Sequence, residues 1–134
     1  MSKILTSFDI PLHIFYNKYM DREIIEKLMR ISDEEREILN GQKNIRKDDY
    51  TLSDSFIINS KKMLNADKQM DFRLHTRFID FPDHGHDYME FMYVYTGKIT
   101  HVIGGEKIAL ESGDILFLNR HIRHAVLRAE EGDL

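Results

Sequence analysis

The stretch that decides the fold is residues 88–118, YMEFMYVYTGKITHVIGGEKIALESGDILFL. Its first nine residues are almost continuously apolar and rich in aromatic and β-branched side chains, which predicts a central strand covered on both sides and ended by Gly97. Ile99–Ile103 and Glu106–Leu110 flank Gly104-Gly105, a two-residue linker free to take the positive φ angles of a tight hairpin. Ser112-Gly113-Asp114 marks a further turn, followed by strand candidates at Ile115–Leu118 and Arg123–Arg128. Short strands separated by turns at regular intervals imply a mainly β chain, an antiparallel sandwich or barrel.

Upstream of this block, Phe72, Leu74, Thr76 and Phe78 alternate with Arg73, His75 and Arg77, which predicts a strand with one wet face. Ser55–Asn59, containing Phe56, Ile57 and Ile58, is a short strand candidate in an otherwise weakly patterned region. Residues 21–40 read as helix, with Ile24 and Leu28, and Ile25 and Met29, paired at i,i+4 and Glu23 set against Lys27. Ser32 followed by Glu35 is a capping box, so a second short helix starts there and closes at Gly41, a residue suited to a left-handed cap. The reading divides the chain into an N-terminal arm, residues 1–50, whose helices pack on or near the barrel, and the barrel itself, residues 51–134.

At 134 residues the chain fits one domain; two independent cores would leave neither comfortable. With 42% hydrophobic and 31% charged residues it is too apolar to be disordered. A net charge of −4 gives no broad attraction to phosphate backbones, so direct nucleic-acid binding by these residues has little support. Cysteine is absent, which excludes disulfides, thiolate catalysis and cysteine-ligated metals, so any bound metal must use His and carboxylate. No apolar run is long enough to span a bilayer, and the start MSKILTSFDIPLH lacks a basic region followed by a long apolar one. A cytoplasmic location, with no membrane partner, is the expectation.

The chemistry lies in the histidines. His84 and His86 stand two apart, Glu90 follows four later, and His124 lies beyond the hairpin. In an extended strand positions 84, 86 and 90 share parity, with His124 supplied by a neighbouring strand, provided the turn around Gly85–Tyr88 keeps the register. Three imidazoles and a carboxylate suit a divalent transition ion such as Fe, Mn, Zn, Ni or Co, and spacing does not choose among them. The same four residues also admit an apo ligand pocket or purely structural hydrogen bonding. Met92, Val94, Phe117 and Val126 are read as lining the interior around them; alternation puts Glu90, Met92 and Val94 on the inner face and Phe91, Tyr93 and Tyr95 outside, against helices or another subunit. His75 reads as a surface strand residue, and His101 and His121 as hairpin or loop histidines.

His84-Gly85-His86, three residues, Glu90, six residues and Gly97 resemble the first motif of the cupins, and Gly113, ten residues and His124 resemble the second. Phe78 stands where the first motif usually opens on glycine, and Asn119, His121 and Arg128 replace the later proline, glycine and asparagine of the second. The resemblance implies a cupin-type double-stranded β-helix, a jelly-roll barrel, with a short N-terminal helical segment. More narrowly, residues 81–126 are similar to the N-terminal sensor domain of AraC-type bacterial transcriptional regulators.

That likeness implies a barrel that binds a small polar effector such as a sugar, pairs as a homodimer, and controls DNA through C-terminal helix-turn-helix units beyond these residues. It also implies a further barrel strand after Leu134, so the barrel is expected to stop short of its last strand. The reading is therefore a regulatory ligand-binding domain with no catalytic residue. The alternative is a small metal-dependent cupin enzyme in which His84, His86, Glu90 and His124 hold the metal.

Overall fold

The computed structural model describes residues 22–64 and 67–134; the first 21 residues of the expected N-terminal arm, and the side chain of Ile24, lie outside the described residues. Helix α1 spans Arg22–Met29 and α2 Asp33–Leu39. The capping box expected at Ser32 is present: its hydroxyl accepts from the Glu35 amide at 3.1 Å, and the Ser32 amide donates back to the Glu35 carboxylate at 2.9 Å. Helix α2 ends at Gly41, whose φ of 109° lets its amide donate to Ile38 while Gln42 donates to Glu37, a Schellman closure.

Among the described residues, seven strands follow or interleave with a short helix: β1 (Ile57–Ile58), α3 (Ser60–Met63), β2 (Phe81–His86), β3 (Glu90–Tyr93), β4 (Lys98–Ile103), β5 (Glu106–Glu111), β6 (Ile115–Leu118) and β7 (His124–Val126). They form a five-stranded sheet in the order β1-β2-β7-β4-β5 and a two-stranded sheet, β3-β6. All pairings are antiparallel except β1 with β2, which is parallel. The mainly β class is thus as the sequence implies. The hairpin forms as expected: Ile103 faces Glu106 across Gly104 and Gly105, at φ 59° and 83°, the paired positive angles of a primed turn.

The core lies between the two sheets. Phe81, Ile99, Leu110 and Val126 of the larger sheet pack with Val94, Met92 and Leu116 from the smaller sheet and its extension, and Phe56 and Ile58 close one side. Phe56 stacks on Phe81 with ring centroids 5.9 Å apart. Burying such side chains contributes about 1.5–3 kcal/mol each relative to exposure.

Two strand expectations need correction. Residues 72–77 have no ladder partner among the described residues, and burial does not alternate along the segment: Phe72 is 74% exposed and Arg73 is exposed, whereas Arg77 is wholly buried and Phe78 beside it is buried too. The reason is an ion pair. Arg77 Nε donates to Glu35 Oε1 at 2.7 Å and one terminal nitrogen to Oε2 at 3.0 Å, while the guanidinium also reaches the Met29, Arg30 and Glu131 carbonyls. Such bidentate pairing draws a long cationic side chain inward, which local alternation cannot reveal. Second, residues 88–96 are not covered on both sides. Only Glu90–Tyr93 is ladder strand, and Phe91 and Tyr93 face outward without helical cover among the described residues.

Breaking the buried pair leaves one charge uncompensated, so Arg77→Met should cost about 3–5 kcal/mol in urea unfolding, more than Arg128→Met at an exposed pair. Burial alone would raise the Glu35 pKa, but bonds from Arg77 and from the Ser32 and Arg77 amides bring it below 4.5. The pair's contribution is therefore full above about pH 4.5 and fades as pH falls through the lower folded value.

Candidate metal centre

Strand β2 delivers two imidazoles by virtue of an irregularity. Phe81 pairs with Val126 and His84 with His124, and the register shifts between them, so residues three apart both face inward. His86 shares the parity of His84, and across the ladder His124 faces His84 directly. Gly85 sits tightly between them, because a Cβ there would lie 3.0 Å from Ile57 Cδ1 and 3.6 Å from the His121 backbone. His84, His86 and His124 each offer a ring nitrogen within 4.8 Å of the others, and all three are buried.

Glu90 joins from a different direction than expected. The chain bends at Asp87 and Tyr88, so Glu90 lies on β3 and faces the histidines from the opposite sheet instead of continuing their strand. Its carboxylate oxygens stand 3.6 Å from His86 Nε2 and 3.5 Å from His124 Nε2. These gaps are too long for ordinary hydrogen bonds but match donors that share an ion with bonds of about 2.0–2.2 Å.

The outer nitrogens are partly fixed. His84 Nδ1 lies 2.7 Å from the Pro82 carbonyl and His124 Nδ1 3.4 Å from the Ile122 carbonyl. A carbonyl only accepts, so at His84 the proton belongs on Nδ1 and the Nε2 lone pair is left for the interior; His124 has the same, weaker bias. His86 Nδ1 and Glu90 Oε2 are buried without a hydrogen-bond partner. Neutral imidazoles, an anionic carboxylate and unsatisfied polar atoms are the donor set a divalent cation requires. The residues therefore fit such an ion, which would be held by His84, His86, His124 and Glu90.

The remaining residues separate into two groups. Met92 and Val126 face inward with the cluster, and Val94 is buried in the adjoining core. Phe117 does not line the interior: it pairs with Phe91 on β6, shares that residue's outward face and is 69% exposed. Cross-strand partners lie on one side of a sheet, so the outward parity of Phe91 dictates that of Phe117.

Two histidines set aside as loop or surface residues are also inside. His101 is wholly buried, its ring 5.4 Å from that of His124, and His75 Nε2 is buried without a partner. The signal for His101 was its parity with Ile99 and Ile103 in β4. His121 remains exposed, as expected of a loop residue.

Burial is the leading influence on these rings. It lowers His84 to about 3 and His75 and His101 to about 4, and it lowers His86 as well. For Glu90, burial acts upward, but the His124 contact and the neighbouring imidazoles outweigh it and bring the carboxyl to about 2.

Residues 70–134, just under half the chain, match the family model described as "Cupin domain". Among solved structures the chain is similar to a cupin-2 domain protein from Shewanella frigidimarina NCIMB 400, at 23% identity over 38% of this chain and 51% of that one, with a TM-score of 0.36. It is also similar to KdgF from Halomonas sp., at 26% identity over 42% of this chain and 53% of that one, with a TM-score of 0.37. The chain spans about half the length of these two structures. No curated protein matches it.

Histidines with folded pKa values below 6.5 leave the unfolded chain as the better proton binder, so stability declines as pH falls from about 6.5 towards about 4. Urea midpoints of metal-stripped protein across this range should drop steadily; a flat profile would show that these rings are not desolvated. The domain match and the facing sheets agree on the fold: residues 70–134 have a mainly β, cupin-type architecture.

Proposed function

We propose that this domain holds a divalent first-row transition ion through His84, His86, His124 and Glu90 and serves as the sensory part of an AraC-type transcriptional regulator. In this reading a small polar effector, such as a sugar, binds beside the ion, and the response passes to DNA-binding helices outside these residues. The observation that carries the first half is the clustering of three buried imidazoles from two strands, two of which stand within 3.6 Å of the Glu90 carboxylate on the opposite sheet. The second half rests on the likeness of residues 81–126 to the regulators' sensor domains. A metal-dependent cupin enzyme would share the same ligands, but Glu90 is then engaged as a ligand and turnover needs a further acid or base.

Elemental analysis after mild purification, without chelators, tests the reading. One transition ion per chain with no turnover, and two helix-turn-helix units encoded downstream of Leu134, are the expected results; stoichiometric metal with turnover would replace the regulator by the enzyme. His124→Ala should reduce affinity for cobalt or nickel by at least about a hundredfold, and Glu90→Gln by roughly tenfold, with little change in the melting of the metal-free protein.

The outer face of β3 and β6 supports homodimer formation. Phe91, Tyr93, Ile115 and Phe117 are all exposed there, and Phe72 adds an edge-on ring 6.5 Å from Phe91. An apolar patch of this kind on a soluble domain is a recurrent mark of an association surface. Light scattering should show a dimer that Phe117→Asp converts to monomer with metal content unchanged; a Phe117→Asp dimer would place the contact elsewhere.

A further inference from the structure

Beside the triad, on the same inner face, stands a pair that neither motif explains. His101 Nε2 lies 3.1 Å from the sulfur of Met92, and His101 Nδ1 is buried without any partner. The two come from opposite sheets: Met92 follows Glu90 at the next inward position of β3, and His101 sits on β4, next to β7. His101 is wholly buried and its ring is 5.4 Å from that of His124, so the pair flanks the histidine cluster directly.

The simple account of the contact is an N–H to sulfur hydrogen bond. A thioether is a weak acceptor, and that tautomer leaves the Nδ1 lone pair buried with no donor, an uncompensated desolvation. The other tautomer sets two lone pairs against each other. An aromatic hydrocarbon would fill the same space with neither conflict, so the packing of the core does not call for an imidazole here. A soft cation between nitrogen and sulfur removes the lone-pair conflict, and thioether with imidazole is a donor combination that favours copper(I) over harder ions.

We propose that Met92 and His101 extend the histidine cluster into a soft-metal subsite that lets the centre take copper(I) as well as a divalent ion. The inference rests on the metal-binding reading above and adds a second class of ion to it. The hard carboxylate of Glu90 and the soft sulfur of Met92 lie on one strand at successive inward positions, so the centre presents a hard flank and a soft flank. Zinc or cobalt would use the three histidines with Glu90; copper(I) would use imidazoles with Met92.

The test is anaerobic competition for copper(I) against bicinchoninate, run beside zinc competition, on wild-type protein, Met92→Leu and His101→Phe. Copper(I) affinity should fall at least about tenfold in both variants while zinc affinity moves less than about twofold. Unchanged copper(I) affinity in both, with zinc still bound, overturns the soft subsite and leaves the metal site standing. Failure of wild-type protein to bind any of these ions overturns both readings. X-ray absorption at the copper edge of wild-type protein covers the case of a variant that does not fold: a sulfur in the first shell is expected, and a shell of nitrogen and oxygen alone refutes the proposal.

Discussion

The site depends on one packing constraint: polar side chains from three strands must share the dry space between two sheets. Inward parity on β2 and β7 buries His84, His86 and His124 beside the partly buried Glu90 of β3, so the ring nitrogens that do not face a backbone carbonyl must be satisfied by one another, by Glu90 or by an ion. The register shift between Phe81 and His84 makes this possible. Without it, Phe81 and His84 would point to opposite sides, and either the aromatic core or the first imidazole would be lost from the interior. Apolar packing and the polar centre are therefore consequences of the same irregular strand.

A second constraint ties the helical segment to the barrel. Arg77 reaches both oxygens of Glu35, which is itself half of the capping box of α2, and also takes the Glu131 carbonyl near the C-terminal end. Thr76, one residue earlier, bonds Glu34, and Tyr50 donates to the same carboxylate. The start of α2 is thus fixed by charge and hydrogen bonds that lie on the extended segment just before β2. Any shift of that segment would be felt at both α2 and the first strand carrying metal-ligand candidates.

What the sequence revealed follows the range of the interactions involved. The capping box at Ser32, the cap at Gly41 and the hairpin at Gly104-Gly105 are encoded within a few residues, and each appears where local chemistry puts it. The gathering of His84, His86 and His124 was legible because a motif and a common parity coincide. The burial of Arg77 was not legible, since its partner Glu35 stands 42 positions away and the alternation around it pointed outward. His101 shares the parity of Ile99 and Ile103, which marks the inner face of β4, but no local pattern shows that β7 brings His124 against it. Phe117 was misplaced because its own run, ILFL, is apolar on both parities, and only pairing with Phe91 fixes the side.

The departures from the cupin motifs are resolved by the backbone. Phe78 and His121 stand where the motifs carry glycine, and they are the two non-glycine residues with positive φ among the described residues, at 71° and 66°. The left-handed conformation that glycine would adopt freely is kept, at a cost of roughly 1–2 kcal/mol for each residue that bears a Cβ. At Phe78 the ring is buried in the core, so its hydrophobic burial offsets the strain, which glycine could not do. At His121 the side chain is exposed and offers no such return, yet the amide donates to the His86 carbonyl at 2.9 Å. That bond fastens the loop before β7 to the strand carrying two of the histidines. The turn geometry is thus imposed by what the loop must hold in place, and residue identity at position 121 follows only loosely.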